Sequence, residues 1–69
     1  MDWSPLRSSN LRAVGYDEET RTLGVEFNTG ATYEYADVPS TVYQGLTASG
    51  SAGAYFHRHV KGQYRHKAV

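Results

Sequence analysis

Leu23-Gly24-Val25-Glu26-Phe27-Asn28-Thr29-Gly30-Ala31-Thr32-Tyr33-Glu34-Tyr35-Ala36-Asp37-Val38-Pro39 is the stretch that decides the fold. Leu23, Val25 and Phe27 alternate with Gly24 and Glu26, the two-residue period of a strand buried on one face. Asn28-Thr29-Gly30 supplies a reversal, because Asn and Gly tolerate the positive φ that a hairpin loop needs. The alternation resumes from Ala31 to Ala36, with Tyr33 and Tyr35 on one face and Thr32 and Glu34 on the other. Beyond it the period changes. Pro39 suits the first turn of a helix, where its missing N–H is no loss, and Asp37 just upstream complements the helix dipole.

Working outward toward the N-terminus, Leu11 to Tyr16 reads as a further strand with Val14 and Tyr16 on one face, and Asp17-Glu18-Glu19-Thr20 as a polar turn. Toward the C-terminus, Val42, Tyr43 and Leu46 have helical spacing, which predicts a short helix from about Pro39 to Ala48. Ser49-Gly50-Ser51 ends it, and Ser51 is placed to cap a second helix. In that helix Gly53, Phe56, Val60 and Tyr64 fall on one stripe, and Gly62 marks its weak end. The expected fold is α+β: a three-stranded antiparallel meander followed by two short helices packed on one sheet face. Residues 1–69 are expected to form a single domain with its core in about residues 8–65.

Composition narrows the function classes. A chain of 69 residues holds one modest core, since a domain this small buries only about 60% of its unfolded surface. With no cysteine, disulfides, thiolate zinc sites and cysteine nucleophiles are all excluded. Asp2, Pro5 and Arg7 interrupt any export signal, and no apolar run approaches the roughly 18 residues of a membrane span. The expected location is cytoplasmic, with no membrane partner.

Net charge is zero, yet all seven acidic residues lie between Asp2 and Asp37. From His57 to Lys67 there are four cations, Arg58, Lys61, Arg65 and Lys67, and three histidines, His57, His59 and His66, with no acid. Such asymmetry either attracts a polyanion or simply solvates a helix face.

Catalysis is the weakest reading. His57, His59 and His66 are available as bases, Ser8, Ser9 and Ser51 as nucleophiles and Asp17 as an orienting group, but none sits in a motif such as Gly-x-Ser-x-Gly. No catalytic residue is assigned and the protein is not expected to be an enzyme. A metal is not expected either. On a helix His57 and His59 point about 200° apart, and His59 and His66 stand about 10 Å apart along the axis, too far for one ion. No cofactor is implied.

Tyr33 and Tyr35 admit two readings. Tyrosines on an open sheet face can stack on unpaired bases. They also continue the apolar face of Leu23, Val25 and Phe27, which the helices must cover, so Tyr33, Tyr35, Phe56 and Tyr64 are read as structural. That leaves the second helix for recognition. Arg58, Lys61 and Arg65 are spaced i, i+3 and i+7, flanked by Tyr55, His59 and His66, and extended by Lys67. Guanidinium groups fork onto phosphates and an exposed aromatic stacks on a base, so these seven residues are the candidate nucleic-acid contacts. The competing class is a protein partner or a homodimer, anchored by Trp3, Tyr43 and Tyr55.

Ser8-Ser9, Val14-Gly15-Tyr16-Asp17, Leu23-x-Val25-x-Phe27-x-x-Gly30, Tyr33-x-Tyr35, Val38-Pro39 and Ser51-x-Gly53-x-Tyr55-Phe56-x-x-x-Val60-x-x-x-Tyr64 together resemble the KTSC domain. That family is known from the C-terminus of some lysyl-tRNA synthetases and from stand-alone small bacterial or phage proteins. The resemblance runs from about Ser8 to Arg65, and Tyr-x-Tyr followed by Val-Pro is its most telling piece. It implies an RNA partner through the attachment to a tRNA-handling enzyme. His57 stands where the family often has Asn.

Overall fold

In a computed structural model, which describes residues 1–69, the chain forms five strands and two helices. They are β1 (Asp2–Pro5), β2 (Leu11–Asp17), β3 (Thr22–Phe27), β4 (Thr32–Tyr35), α1 (Ser40–Ala48), α2 (Ala52–His59) and β5 (His66–Ala68). All five strands pair in sequence order as one antiparallel sheet. The α+β class and the central meander agree with the sequence reading. The strand count does not: the expected three strands become five, because an edge strand is added on each side.

Register explains the division of faces. Val14, Val25 and Tyr33 lie in one cross-strand row, and Tyr16, Leu23 and Tyr35 in the next, all facing the helices. Val14, Leu23, Val25, Val38, Leu46 and Val60 are fully buried there, with Phe56 and Ala52 packed among them. A register shift between Leu11 and Ala13 puts Arg12 outside while Leu11 stays in the core, as a bulge permits. Asp17 Oδ1 accepts the Glu19 and Thr20 amides and so closes the polar turn.

The added strands have different causes. β1 is an edge strand that tolerates Pro5. Its Trp3 lies across the outer face of the sheet, opposite the helices, where Gly15 and Gly24 leave a trough. A Cβ on Gly24 would stand 2.6 Å from Trp3 Cη2 and 2.8 Å from Met1 Sδ. β5 completes the other edge, with Ala36 N–H donating to the Arg65 carbonyl and Val69 N–H to that of Thr32.

β5 also corrects the second helix. The sequence reading carries the helix through Lys61 toward Gly62, but α2 ends at His59. The Val60 and Lys61 amides both bond to the Phe56 carbonyl, and a turn closes from Gln63 N–H to the Val60 carbonyl. Gly62 sits in that turn at φ +78°, where a side chain would be strained. The turn buries Val60 and returns the chain to the free edge of β4. Ser51 is the cap of α2, its hydroxyl accepting from Ala54 N–H at 3.4 Å.

The helices meet where the Tyr55 ring lies over Gly45 of α1. A Cβ at Gly45 would fall 2.7 Å from Tyr55 Cε2 and nearer still to its Cζ and hydroxyl oxygen. Gly→Ala inside a helix ordinarily gains about 1 kcal/mol. Here overpacking of about 1–3 kcal/mol opposes that gain, so Gly45→Ala is expected to be neutral or destabilising. In a Tyr55→Ala background the same change is expected to stabilise. A double-mutant cycle by urea denaturation measures the difference, and equal effects in both backgrounds would contradict the contact.

Candidate nucleic-acid interface

Between the end of α2, the β3–β4 hairpin and the loop before β2 lies a groove of ≈ 670 Å³. Its floor is aromatic. Phe27 meets Tyr33 and Phe56 edge-to-face at centroid distances of 5.8 and 5.5 Å, and Phe56 meets Tyr35 likewise at 5.7 Å. His66 comes in from β5 to lie against Tyr35 at 5.3 Å and Tyr33 at 5.7 Å.

The opposite rim is polar and tied down. Ser8 Oγ accepts the Asn10 and Leu11 amides, and Asn28 Nδ2 donates to the Ser8 and Ser9 carbonyls at 3.1 and 2.9 Å. Asn28 N–H also donates to the Asn10 carbonyl at 2.8 Å. Loop and hairpin are thus held as one unit. α2 comes close to this unit at Gly53, where a Cβ would stand 3.3 Å from Ser8 Oγ. Lys61 is the charged residue of the lining, with His57 and His66 beside it, and no carboxylate contributes. Aromatic floor, amide rim and cationic edge thus surround one cavity.

The sequence model of the KTSC domain matches residues 7–64. The chain belongs to the KTSC domain family. A protein of Stutzerimonas stutzeri is 46% identical over 59 residues, covering 86% of this chain and 83% of that protein. A lysine–tRNA ligase of Nostoc sp. is 42% identical over 61 residues, which make up 88% of this chain but only 11% of the ligase. The chain thus spans about a tenth of the length of the ligases it matches. Among solved structures, the crystal structure of a KTSC domain protein from Yersinia pestis superposes with a TM-score of 0.95 at 29% identity, covering 99% of this chain and 96% of the other.

Within this KTSC domain the residues singled out from the sequence do not form one helical stripe. Lys61 and His66 line the groove. Arg58 lies exposed on α2, and Arg65 lies exposed in the segment leading into β5. Lys67 points to the outer face, directly across from Glu34, because β5 alternates and His66 takes the helix side. His59 and His66 therefore lie apart instead of on one flank. The His59 ring lies tilted against Tyr55 with centroids 4.4 Å apart, and Tyr55 itself is half-buried against α1. Tyr43 is likewise occupied, stacked on Tyr16 at 5.6 Å and hydrogen-bonded to Ser4 Oγ at 3.0 Å.

Four groove residues, Ser9, Asn10, Asn28 and His57, are not among the seven nucleic-acid contacts that the sequence suggests. Their sequence signals are ordinary turn chemistry and the unusual residue after Phe56. Only the fold puts Ser9, Asn10 and Asn28 in one groove with His57 and Lys61.

Tyr35 and Phe56 are buried, while Tyr33 and Tyr64 are half-buried. Burial pushes the Tyr35 phenol above its usual value of 10.0, and the neighbouring Tyr33 acts in the same direction. Folding therefore favours the neutral phenol. The associated stability is complete below the pKa of an unfolded tyrosine, about 10, and is lost as pH rises through the higher folded value. Urea midpoints are expected to fall above pH 10, and to fall less steeply in Tyr35→Phe. Parallel pH profiles for the two proteins would show that Tyr35 is not the group responsible.

Proposed function

We propose that this KTSC domain is a non-catalytic binding module whose partner is RNA, or another nucleic acid, held through Lys61 and His66 of the groove lining and through the exposed Arg58 of α2 and Arg65 before β5, with Lys67, Tyr55 and His59 more peripheral. The observation that carries the reading is the separation of charge: every acid precedes Val38, and the groove is edged by His57, Lys61 and His66 without a carboxylate. Relatives of the chain form part of lysine–tRNA ligases, enzymes whose name makes tRNA their substrate; this supports RNA over other polyanions.

Few cations mean weak binding. Affinity is expected at about 10⁻⁴ to 10⁻⁶ M at physiological salt and to fall as salt rises. Titration of labelled single- and double-stranded RNA and DNA at two salt concentrations tests this, and absence of binding to all four at low salt would overturn it.

A second reading rests on the outer face of the sheet, where Met1 and Trp3 are 47% and 43% exposed. There the domain would self-associate or hold a protein partner by an aromatic anchor. Light scattering separates the two: a dimer that Trp3→Ala dissolves, without nucleic-acid affinity, favours the second.

A further inference from the structure

We infer that the groove between α2, the β3–β4 hairpin and the loop before β2 takes a single unpaired nucleotide, with its base on the aromatic floor and its phosphate at Lys61 and His57. This rests on the RNA reading and gives it a site. The groove, at ≈ 670 Å³, falls within the roughly 300–1,000 Å³ of small-ligand pockets. A duplex cannot reach its floor, because paired bases stay in their stack; an unpaired base can be turned out of the strand.

The chemistry of the lining matches the three parts of a nucleotide. Phe27 and Tyr33 are half-buried, so each presents part of its ring to the groove. They form the apolar surface that a flat base covers. Asn28 is committed to the carbonyls of Ser8 and Ser9, but Asn10 enters the loop's hydrogen bonds through its backbone. The Asn10 carboxamide thus remains beside the groove with a donor and an acceptor on one plane, the pattern that reads a base edge. Lys61 provides positive charge, His57 and His66 add ring nitrogens that can hydrogen-bond, and no carboxylate opposes a phosphate there. An acidic peptide would use the cations but leave the aromatic floor and the amide rim unmatched.

The test uses the intact domain with the four ribonucleoside 5′-monophosphates and a short single-stranded RNA, followed by NMR and by fluorescence titration. Asn10→Ala and Ala31→Trp alter exposed positions outside the core, so both are expected to fold, which a thermal melt verifies. At least one monophosphate is expected to shift the Asn10 side-chain amide and the Tyr33 and Lys61 resonances. Asn10→Ala is expected to weaken it about tenfold, and Ala31→Trp, which crowds the mouth, to abolish it. If RNA binds the parent while monophosphates leave those resonances unmoved, or if both variants bind RNA as the parent does, the pocket inference fails and the RNA reading stands. Groove shifts with monophosphates but no RNA affinity would uphold the pocket and overturn the RNA reading. Silence with every probe would overturn both.

Discussion

Replacing Phe56 with alanine is expected to cost about 3–5 kcal/mol, the range for truncating a buried phenyl ring. Phe56 is only 7% exposed and is the one ring that touches both Phe27 and Tyr35 edge-to-face, so it joins α2 to β3 and β4 at once. At about 0.05–0.15 kcal/mol per residue, a domain of this size has roughly 3–10 kcal/mol in all. The loss is therefore comparable to the whole stability. At about 4–8 °C per kcal/mol, the melting temperature should fall by at least ~12 °C, and a weak parent would be unfolded at 25 °C. Near-UV circular dichroism and a thermal melt read the outcome directly. Phe56→Leu, which keeps most of the volume, should lose far less. A drop below about 5 °C for the alanine variant would mean that the ring is not where α2 is anchored.

The same anchor shows why part of the fold is legible from residues alone and part is not. Leu23, Val25 and Phe27, then Tyr33 and Tyr35, alternate because the sheet has one covered face, so local periodicity carries the tertiary information. β1 and β5 carry no such pattern. Asp2–Pro5 and His66–Ala68 are edge strands with few buried side chains, formed because β2 and β4 present free hydrogen-bonding edges. An edge is a property of the assembled sheet, invisible in a window of four residues.

The end of α2 departs from its sequence pattern for a related reason. Phe56, Val60 and Tyr64 do recur at intervals of four, but Val60 is buried in the turn that follows the helix and not on a continuing helical face. Helical spacing cannot distinguish a longer helix from a turn that happens to bury the next apolar residue. Once the helix stops at His59, the stripe of Arg58, Lys61 and Arg65 is divided between α2 and the segment that leads into β5. The groove is illegible for the converse reason. Its rim comes from residues 9–10, 28–31, 53–62 and 66, and no one of those segments announces a ligand.

That dispersal bears on the two arginines. Arg58 and Arg65 come from α2 and from the segment before β5, both are exposed, and the ion pair found in the structure is elsewhere, between Arg12 and Glu26 at 3.6 Å. Arg58→Glu with Arg65→Glu should therefore leave the fold within about 0.5 kcal/mol per site, as surface changes usually do. The double reversal changes net charge by four units on the exposed surface of α2 and of the segment before β5. It turns two attractive phosphate contacts into two repulsive ones, so RNA affinity is expected to fall below detection at physiological salt. At low salt, the slope of log affinity against log salt should shrink by about 0.7 for each single-strand phosphate that is no longer neutralised. Long-range attraction to net charge alone would predict something different. Glu18→Lys, in the β2–β3 turn at the other end of β3 from the hairpin, restores the net charge that Arg58→Glu removes. If recognition is local, adding Glu18→Lys should leave Arg58→Glu weakened several-fold. Full rescue would mean that the domain senses only overall charge, and an unimpaired Arg58→Glu, Arg65→Glu double mutant would remove the C-terminal surface from recognition altogether.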